Sequence, residues 1–264
     1  MSKHRANSLG GKRWLQNSIS VWSDIRKSPE ELRLKHPAMF PAALATRLIE
    51  SFLPDGQHLV FDPFAGTGAT LVAAVGLGKQ GVGIELSSEF VTLARRRLTA
   101  HGGQALHPAP ALHLGTARDL LKYVTPGSID LCITSPPYWN ILNQRRTADS
   151  KAVRHYGNLA EDLGTIADYD EFLSALTGIF ADVLKVLKPG AHCCVVVMDL
   201  RKKNRFYPFH SDLAARLQEI GYELDDLVIW NRQSEYNNLR PLGFPAVFRV
   251  NKVHEFILLL RKPV

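Results

Sequence analysis

The chain has 264 residues, 45% hydrophobic and 22% charged, which suits one sizeable core in an ordinary globular fold. No stretch reaches the roughly 18 uncharged apolar residues of a membrane span, and the basic start MSKHRANSLGGKRW lacks the apolar run of a secretion signal, so a cytoplasmic protein with no membrane partner is expected. Lys and Arg exceed Asp and Glu by 32 − 25 = 7, and the pI is near 9.4, a mild excess that suits a phosphate-rich partner.

Residues 1–34 are polar and mixed, with Trp14 and Trp22 as the large anchors, and read as an N-terminal arm laid on a single domain of residues 35–264. PAALATRLIESFL then spaces Leu44, Leu48, Ile49 and Phe52 as one face of a helix. HLVFDPFAGTGATLVAAVGLG reads as strand, tight glycine loop and helix; GVGIEL is a second strand, SEFVTLARRRL a second helix and ALHLG a third strand. IDLCITSPP is a later strand, and YDEFLSALTGIFADVLKVLKPG a long amphipathic helix stopped by Pro189-Gly190. AHCCVVVMDL is a strongly apolar strand, FHSDLAARLQEIG a helix ended by Gly221, and ELDDLVIWN and HEFILLLRK are the last two strands. Strands alternating with helices predict an α/β fold with a mostly parallel, Rossmann-like sheet and an antiparallel strand near the C-terminal end. Two segments, about 140–168 and 232–252, are too long to be mere connectors, and loops of that length are usually functional or disordered. Cys132, Cys193 and Cys194 all lie in apolar runs without CxxC spacing, so they read as core residues and no metal site is expected.

The glycine loop is where chemistry first enters. In FDPFAGTGAT, Asp62, Gly66 and Gly68 fall between a strand and a helix, where glycines allow a close backbone approach and the helix start offers free N–H groups. The loop lacks the GKS or GKT of an ATP-binding P-loop. Glu85 ends the next strand, where a carboxylate can accept from both ribose hydroxyls, and Asp119, after the third strand, can accept from an adenine amine. Three acids at successive strand ends describe an adenosine pocket, which NAD and S-adenosylmethionine would both suit. The run AGTGAT lacks the third glycine of the dinucleotide fingerprint, which favours the cofactor without a pyrophosphate.

DPFAGTG followed downstream by TSPPYW resembles the amino-methyltransferases that modify exocyclic nitrogens of bases in DNA. KHPAMFP is similar to that family's upstream element, which closes over the methionine part of the cofactor, and VHEFILLLRK to its last core strand. The resemblance implies a seven-stranded methyltransferase domain that uses S-adenosyl-L-methionine. On that reading Lys35, Pro37, Phe40, Asp62, Pro63, Phe64, Ala65, Gly66, Gly68, Glu85, Leu86, Asp119 and Leu120 line the cofactor site. The family equivalent of Asp62 helps hold the cofactor's amino group, although a cap on the following helix is also open to it.

The chemistry of the SPPY segment can be argued without the family. An exocyclic base amine is a poor nucleophile because its lone pair is delocalised into the ring. Two acceptors aimed at its N–H groups favour a tetrahedral nitrogen and take up positive charge as it develops. The Ser135 hydroxyl and the Pro136 carbonyl suit that task, and Pro137 completes a rigid pair that offers no competing N–H. Tyr138 is expected to stack on a base flipped out of double-stranded DNA, and Trp139 to wall the pocket. By resemblance, Ser before Pro-Pro points to N4 of cytosine; Asp there goes more often with N6 of adenine. Carbon-5 chemistry would need a cysteine nucleophile, and no Pro-Cys pair occurs. Readout of DNA is assigned to Asn143, Gln144, Arg145, Arg146 and Arg154 in the first long loop, and to Arg201, Lys202 and Arg232 beyond it. The cofactor half precedes the catalytic half, and no segment is long enough for a separate target-recognition domain. A homodimer and a cognate restriction endonuclease are further partners that the resemblance admits. Three alternatives stay open: an N6-adenine enzyme, an RNA base methyltransferase, and a silent cofactor-binding subunit that only docks nucleic acid.

Overall fold

The computed structural model describes residues 6–34, 39–105, 108–140, 161–202, 204–236, 239 and 241–264. The chain begins with helix α1 (Gly11–Asn17), a two-residue strand β1 (Val21–Trp22) and helix α2 (Pro29–Arg33). Next come α3 (Ala42–Phe52), β2 (Leu59–Asp62), α4 (Ala69–Gly76), β3 (Gln80–Glu85), α5 (Ser88–Ala100) and β4 (Ala111–Leu114). The second half contains β5 (Ile129–Thr134), α6 (Tyr169–Val186), β6 (Leu187–Val197), the hairpin β7 (Leu200–Lys202) and β8 (Arg205–Tyr207), α7 (Phe209–Glu219), β9 (Glu223–Asn231) and β10 (His254–Arg261).

One large sheet runs in the order β1-β9-β10-β6-β5-β2-β3-β4. β10 is antiparallel to both of its neighbours, while β2, β3, β4, β5 and β6 are parallel to one another. The α/β class and the late antiparallel strand match the expectation from sequence; the strand count does not. Among the described residues the large sheet has eight strands rather than seven, because Val21 and Trp22 pair in parallel with Ile229 and Trp230. Two residues are too few to give a periodic signal. What holds them at the sheet edge is Trp22, which is 1% exposed, donates from Nε1 to the Asn17 carbonyl and lies under the Arg47 guanidinium. A second difference is local. α6 stops at Val186, ahead of Pro189-Gly190, and those residues belong to β6, whose pairing with β5 shifts register there.

Alternation along the strands divides the core between two faces. Cys193, Val195 and Val197 of β6, with Leu258 and Leu260 of β10, pack under α6 and α7. Cys194 and Val196, with Ile257 and Leu259, pack under α3 and α4 together with Trp22 and Trp230. All three cysteines are buried and unpaired with one another, and burial holds the Cys132 and Cys194 thiols well above their usual pKa, so they pack rather than react. Chain order reverses at β2, which has β3 on one side and β5 on the other. The crevice outside the carboxyl ends of those strands is where a sheet of this kind offers room for a ligand.

Candidate active site

Two of the expected motifs leave the sheet side by side at that crevice. The glycine loop follows β2 and the SPPY segment follows β5, and Asp62 fastens the two together. Its Oδ1 accepts from the Thr134 hydroxyl at 2.7 Å and from the Phe64 N–H at 3.0 Å, and its Oδ2 accepts from the Thr70 hydroxyl at 2.6 Å. Asp62 is 1% exposed, and burial raises its pKa to about 6 despite those hydrogen bonds. Both carboxylate oxygens are thus engaged inside the protein, where they join the two loops. Asp62 does not cap the following helix, whose N-cap is Gly68 with no side-chain cap. Gly66 and Gly68 adopt φ of 52° and 79°, and a Cβ on Gly68 would lie 3.0 Å from that of Ala94. The loop therefore needs glycine there both for its turn and for its packing on α5.

Glu85, at the end of β3, also reaches inward. Its Oε2 accepts from the Gly66 N–H and its Oε1 from the Ser87 N–H, each at 2.8 Å. Burial pushes its pKa up to about 7, with the Asp62 charge adding to the effect. Glu85 thereby pins the glycine loop against β3. Phe64 and Leu86 stay partly open at this edge, while Pro63 and Ala65 are buried beneath it. Asp119 keeps 41% of its side chain exposed and pairs with Lys122 at 2.8 Å. An apolar, partly open rim beside two carboxylates is chemistry that fits an adenosine. Leu120 and Phe40 depart from their expected roles: Leu120 is 0% exposed among core side chains under α6, and Phe40 is buried in the cluster behind α3. Lys35 and Pro37 lie outside the described residues.

The sequence reading missed the support under this loop. Arg97 of α5, 4% exposed, donates to the Thr67 carbonyl at 2.8 Å and to the Glu31 carboxylate at 3.1 Å, and pairs with Glu30. Glu31 also accepts from the N–H groups of Ser28 and Ala42. The N-terminal segment is therefore tied into the sheet and into the glycine loop, rather than merely laid over them. An acid recurring in the α2 capping box and an arginine on the apolar face of α5 were the available signals.

In the SPPY segment, Ser135 Oγ and Tyr138 Oη are 3.0 Å apart, and Tyr138 Oη is 2.9 Å from Glu255 Oε2. Glu255 Oε1 accepts from Arg232, which also pairs with Glu235. Burial and the facing Glu255 charge push the Tyr138 phenol well above its usual pKa. Pro136 is buried, whereas Ser135 and Pro137 are partly open. Trp139 does not wall the pocket as expected. It is 5% exposed, with φ of 50°, donates to the Ile166 carbonyl at 3.0 Å, and packs edge-on against Tyr169 and Tyr207. Lys202, expected at DNA, sits 3.9 Å above the Trp139 ring, and Arg232, also expected at DNA, is consumed by its two carboxylates. Arg201 does stand exposed on the β7–β8 hairpin beside Arg205 and Phe206. Asn143, Gln144, Arg145, Arg146 and Arg154 lie outside the described residues. Glu255, a lone acid inside the apolar run HEFILLL, was the overlooked signal.

The N6/N4 methyltransferase family model, described as DNA methylase, matches residues 2–96 and 129–264. Type II methyltransferase M2.DpnII of Streptococcus pneumoniae is 37% identical over 81 residues, 30% of each chain. DNA adenine methyltransferase YhdJ of Escherichia coli K12 is 40% identical over 63 residues, 24% of this chain and 21% of that one. The matched stretches span about a third of the length of these curated relatives, or less. An rRNA methylase structure from Streptococcus thermophilus aligns over 87% of this chain and 100% of that one, at TM-score 0.50 and 13% identity, a likeness of fold.

Proposed function

This chain belongs to the N6/N4 DNA methylase family, and on that premise we propose that it transfers the methyl group of S-adenosyl-L-methionine to the exocyclic N4 amine of a cytosine flipped out of double-stranded DNA. The observation that carries this reading is the bond from Thr134 to Asp62, at 2.7 Å, which holds the cofactor-side loop and the amine-side loop in one crevice. The cofactor supplies an electrophilic sulfonium methyl. The glycine loop lets its backbone come close, with Phe64 and Leu86 against the adenine and Glu85 and Asp119 as acceptors for the ribose hydroxyls and the adenine amine. Ser135 Oγ and the Pro136 carbonyl accept from the two N–H groups of the target amine and draw it toward a tetrahedral geometry. Tyr138 stacks on the base, whose exit from the duplex its chemistry requires. Arg201 and Arg205 on the exposed hairpin supply phosphate contacts.

Adenine N6 is the second reading, favoured by the similarity to YhdJ, a DNA adenine methyltransferase, whereas Ser135 ahead of the proline pair favours cytosine. Methyl transfer from labelled S-adenosylmethionine, offered double-stranded DNA, single-stranded DNA and RNA separately, followed by digestion and nucleoside mass analysis, tests both. N4-methylcytosine in DNA is the expected product. N6-methyladenine would keep the mechanism and discard the assignment to cytosine, and label in RNA alone would overturn the substrate class.

A further inference from the structure

We propose that Glu255 is a positioning residue that acts through Tyr138 to fix the direction of the Ser135 hydroxyl, so that Ser135 faces the target amine only as an acceptor. The inference rests on the reading of Ser135 as the group that polarises that amine.

Glu255 lies in β10, is 5% exposed, and pairs with the Arg232 guanidinium. Arg232 is itself fixed by Glu235 at 2.8 Å and by the Trp230 ring below it. A carboxylate has no hydrogen to give. The Tyr138 phenol, whose pKa is raised, keeps its one hydrogen and gives it to Glu255 Oε2 at 2.9 Å, a charged acceptor that outcompetes both the neutral Ser135 Oγ at 3.0 Å and the Val196 carbonyl at 3.4 Å, which is too far for a strong O–H bond. None then remains for Ser135 Oγ. The hydrogen in that contact must come from the serine. Ser135 thus donates inward to Tyr138 and presents only lone pairs outward. A serine free to rotate would spend part of its time pointing a hydrogen at the N–H groups it has to receive.

Glu255→Gln keeps the shape and reverses the logic. Arg232 demands the amide oxygen, so the amide N–H₂ faces Tyr138 and competes to donate to it. The tyrosine hydrogen is then free to turn to Ser135, and the serine hydrogen into the pocket. The single-turnover rate of methyl transfer to DNA is expected to fall about tenfold, with S-adenosylmethionine affinity held near the wild-type value and a lower Tm, because the buried Arg232 loses one of its two carboxylates. In a Tyr138→Phe background, Glu255→Gln is expected to cost nothing further, because the link it acts through is gone. A rate for Glu255→Gln equal to that of the wild type, or a loss that adds fully to that of Tyr138→Phe, would overturn the inference. Should Glu255→Gln fail to fold, Tyr138→Phe alone decides the matter: a loss of about tenfold supports the chain, and an unchanged rate refutes it. A wild-type protein that methylates no DNA would remove the function reading and this inference with it, whereas an active wild type matched by Glu255→Gln removes the inference alone.

Discussion

Thr134 and Asp62 are the last residues of two neighbouring parallel strands, and the hydroxyl of one donates to the carboxylate of the other at 2.7 Å. The bond lies where the chain must coordinate two loops that are 72 residues apart in sequence. Asp62→Ala leaves the buried Thr134 hydroxyl without its acceptor, at a cost of about 1–3 kcal/mol before relaxation, and leaves Thr70 only its longer contact to the Ile133 carbonyl at 3.4 Å. Thr134→Val removes only one of three hydrogen bonds to the carboxylate and is expected to cost about 1 kcal/mol. Urea denaturation should order them wild type, Thr134→Val, Asp62→Ala. If Asp62 couples the loops, both variants also lose methyl transfer, and full activity in Asp62→Ala would refute the coupling.

Stability should depend on pH through the same crevice. The Glu85 pKa is raised to about 7 and that of Asp62 to about 6, in each case chiefly by burial. A carboxyl whose folded pKa lies above its unfolded value binds more protons in the folded state, so folding loses free energy as pH rises. The contribution is fully present below about pH 4, fades between pH 4 and 7, and is gone above the folded values. Tm is therefore expected to fall between about pH 4 and pH 7. In Glu85→Gln that decline should flatten, since the amide does not titrate. An equal slope in the variant would show that Glu85 is not the group responsible. The same substitution is expected to weaken S-adenosylmethionine binding by titration calorimetry, because Gln sets an N–H₂ against one of the two backbone donors that Glu85 now satisfies.

The ion pair between Arg97 and Glu31 is almost wholly buried, with 4% and 3% of the side chains exposed. Glu31→Ala strands a guanidinium inside the protein, a loss of about 3–5 kcal/mol where no other group compensates, and Glu30, partly exposed, offsets only some of it. Because Arg97 also donates to Thr67, the variant should weaken cofactor binding as well as fold stability. A Glu31→Ala protein with wild-type Tm and wild-type cofactor affinity would show that α2 does not support the loop.

Much of the sheet was legible because its strands are long apolar runs and its loops carry Gly and Pro. ELDDLVIWN is β9 from end to end, and HEFILLL lies within β10. The motif loops were legible for the same reason: DPFAGTG and SPPY depart sharply from the strands they terminate. β1 was not, since two residues have no period, and the edge is made by one tryptophan burying itself. The site's inner wiring was hidden for a different reason. Asp62 and Glu85 look like groups for a ligand and Glu255 is lost in an apolar run, but a buried acid must first satisfy its own oxygens, and the partners that do so (Thr134, Gly66, Tyr138) come from other elements. Arg232 and Lys202 misled similarly. A cation in a loop reads as a solvated phosphate contact until a carboxylate or an aromatic face within the fold claims it.

Trp139 offers the sharpest contrast between the two readings. A tryptophan next to a catalytic loop invites a role at the base, but this one is packed between Tyr169 and Tyr207 at centroid distances of 5.2 and 5.0 Å, with its N–H on the Ile166 carbonyl. It anchors the end of the SPPY segment to α6 and to the β7–β8 hairpin. Trp139→Phe keeps a ring in the cluster and leaves the Ile166 carbonyl short of a donor, for an expected loss of about 1 kcal/mol. Trp139→Ala empties the site and should cost about 3–5 kcal/mol. A residue that touched only DNA would behave in the opposite way: both variants would melt like the wild type and lose DNA affinity in proportion to the ring removed. Melting curves and DNA titrations on the pair decide between the two. A Tm lowered modestly by Phe and severely by Ala makes Trp139 the anchor, and unchanged melting with weakened DNA binding returns it to the pocket.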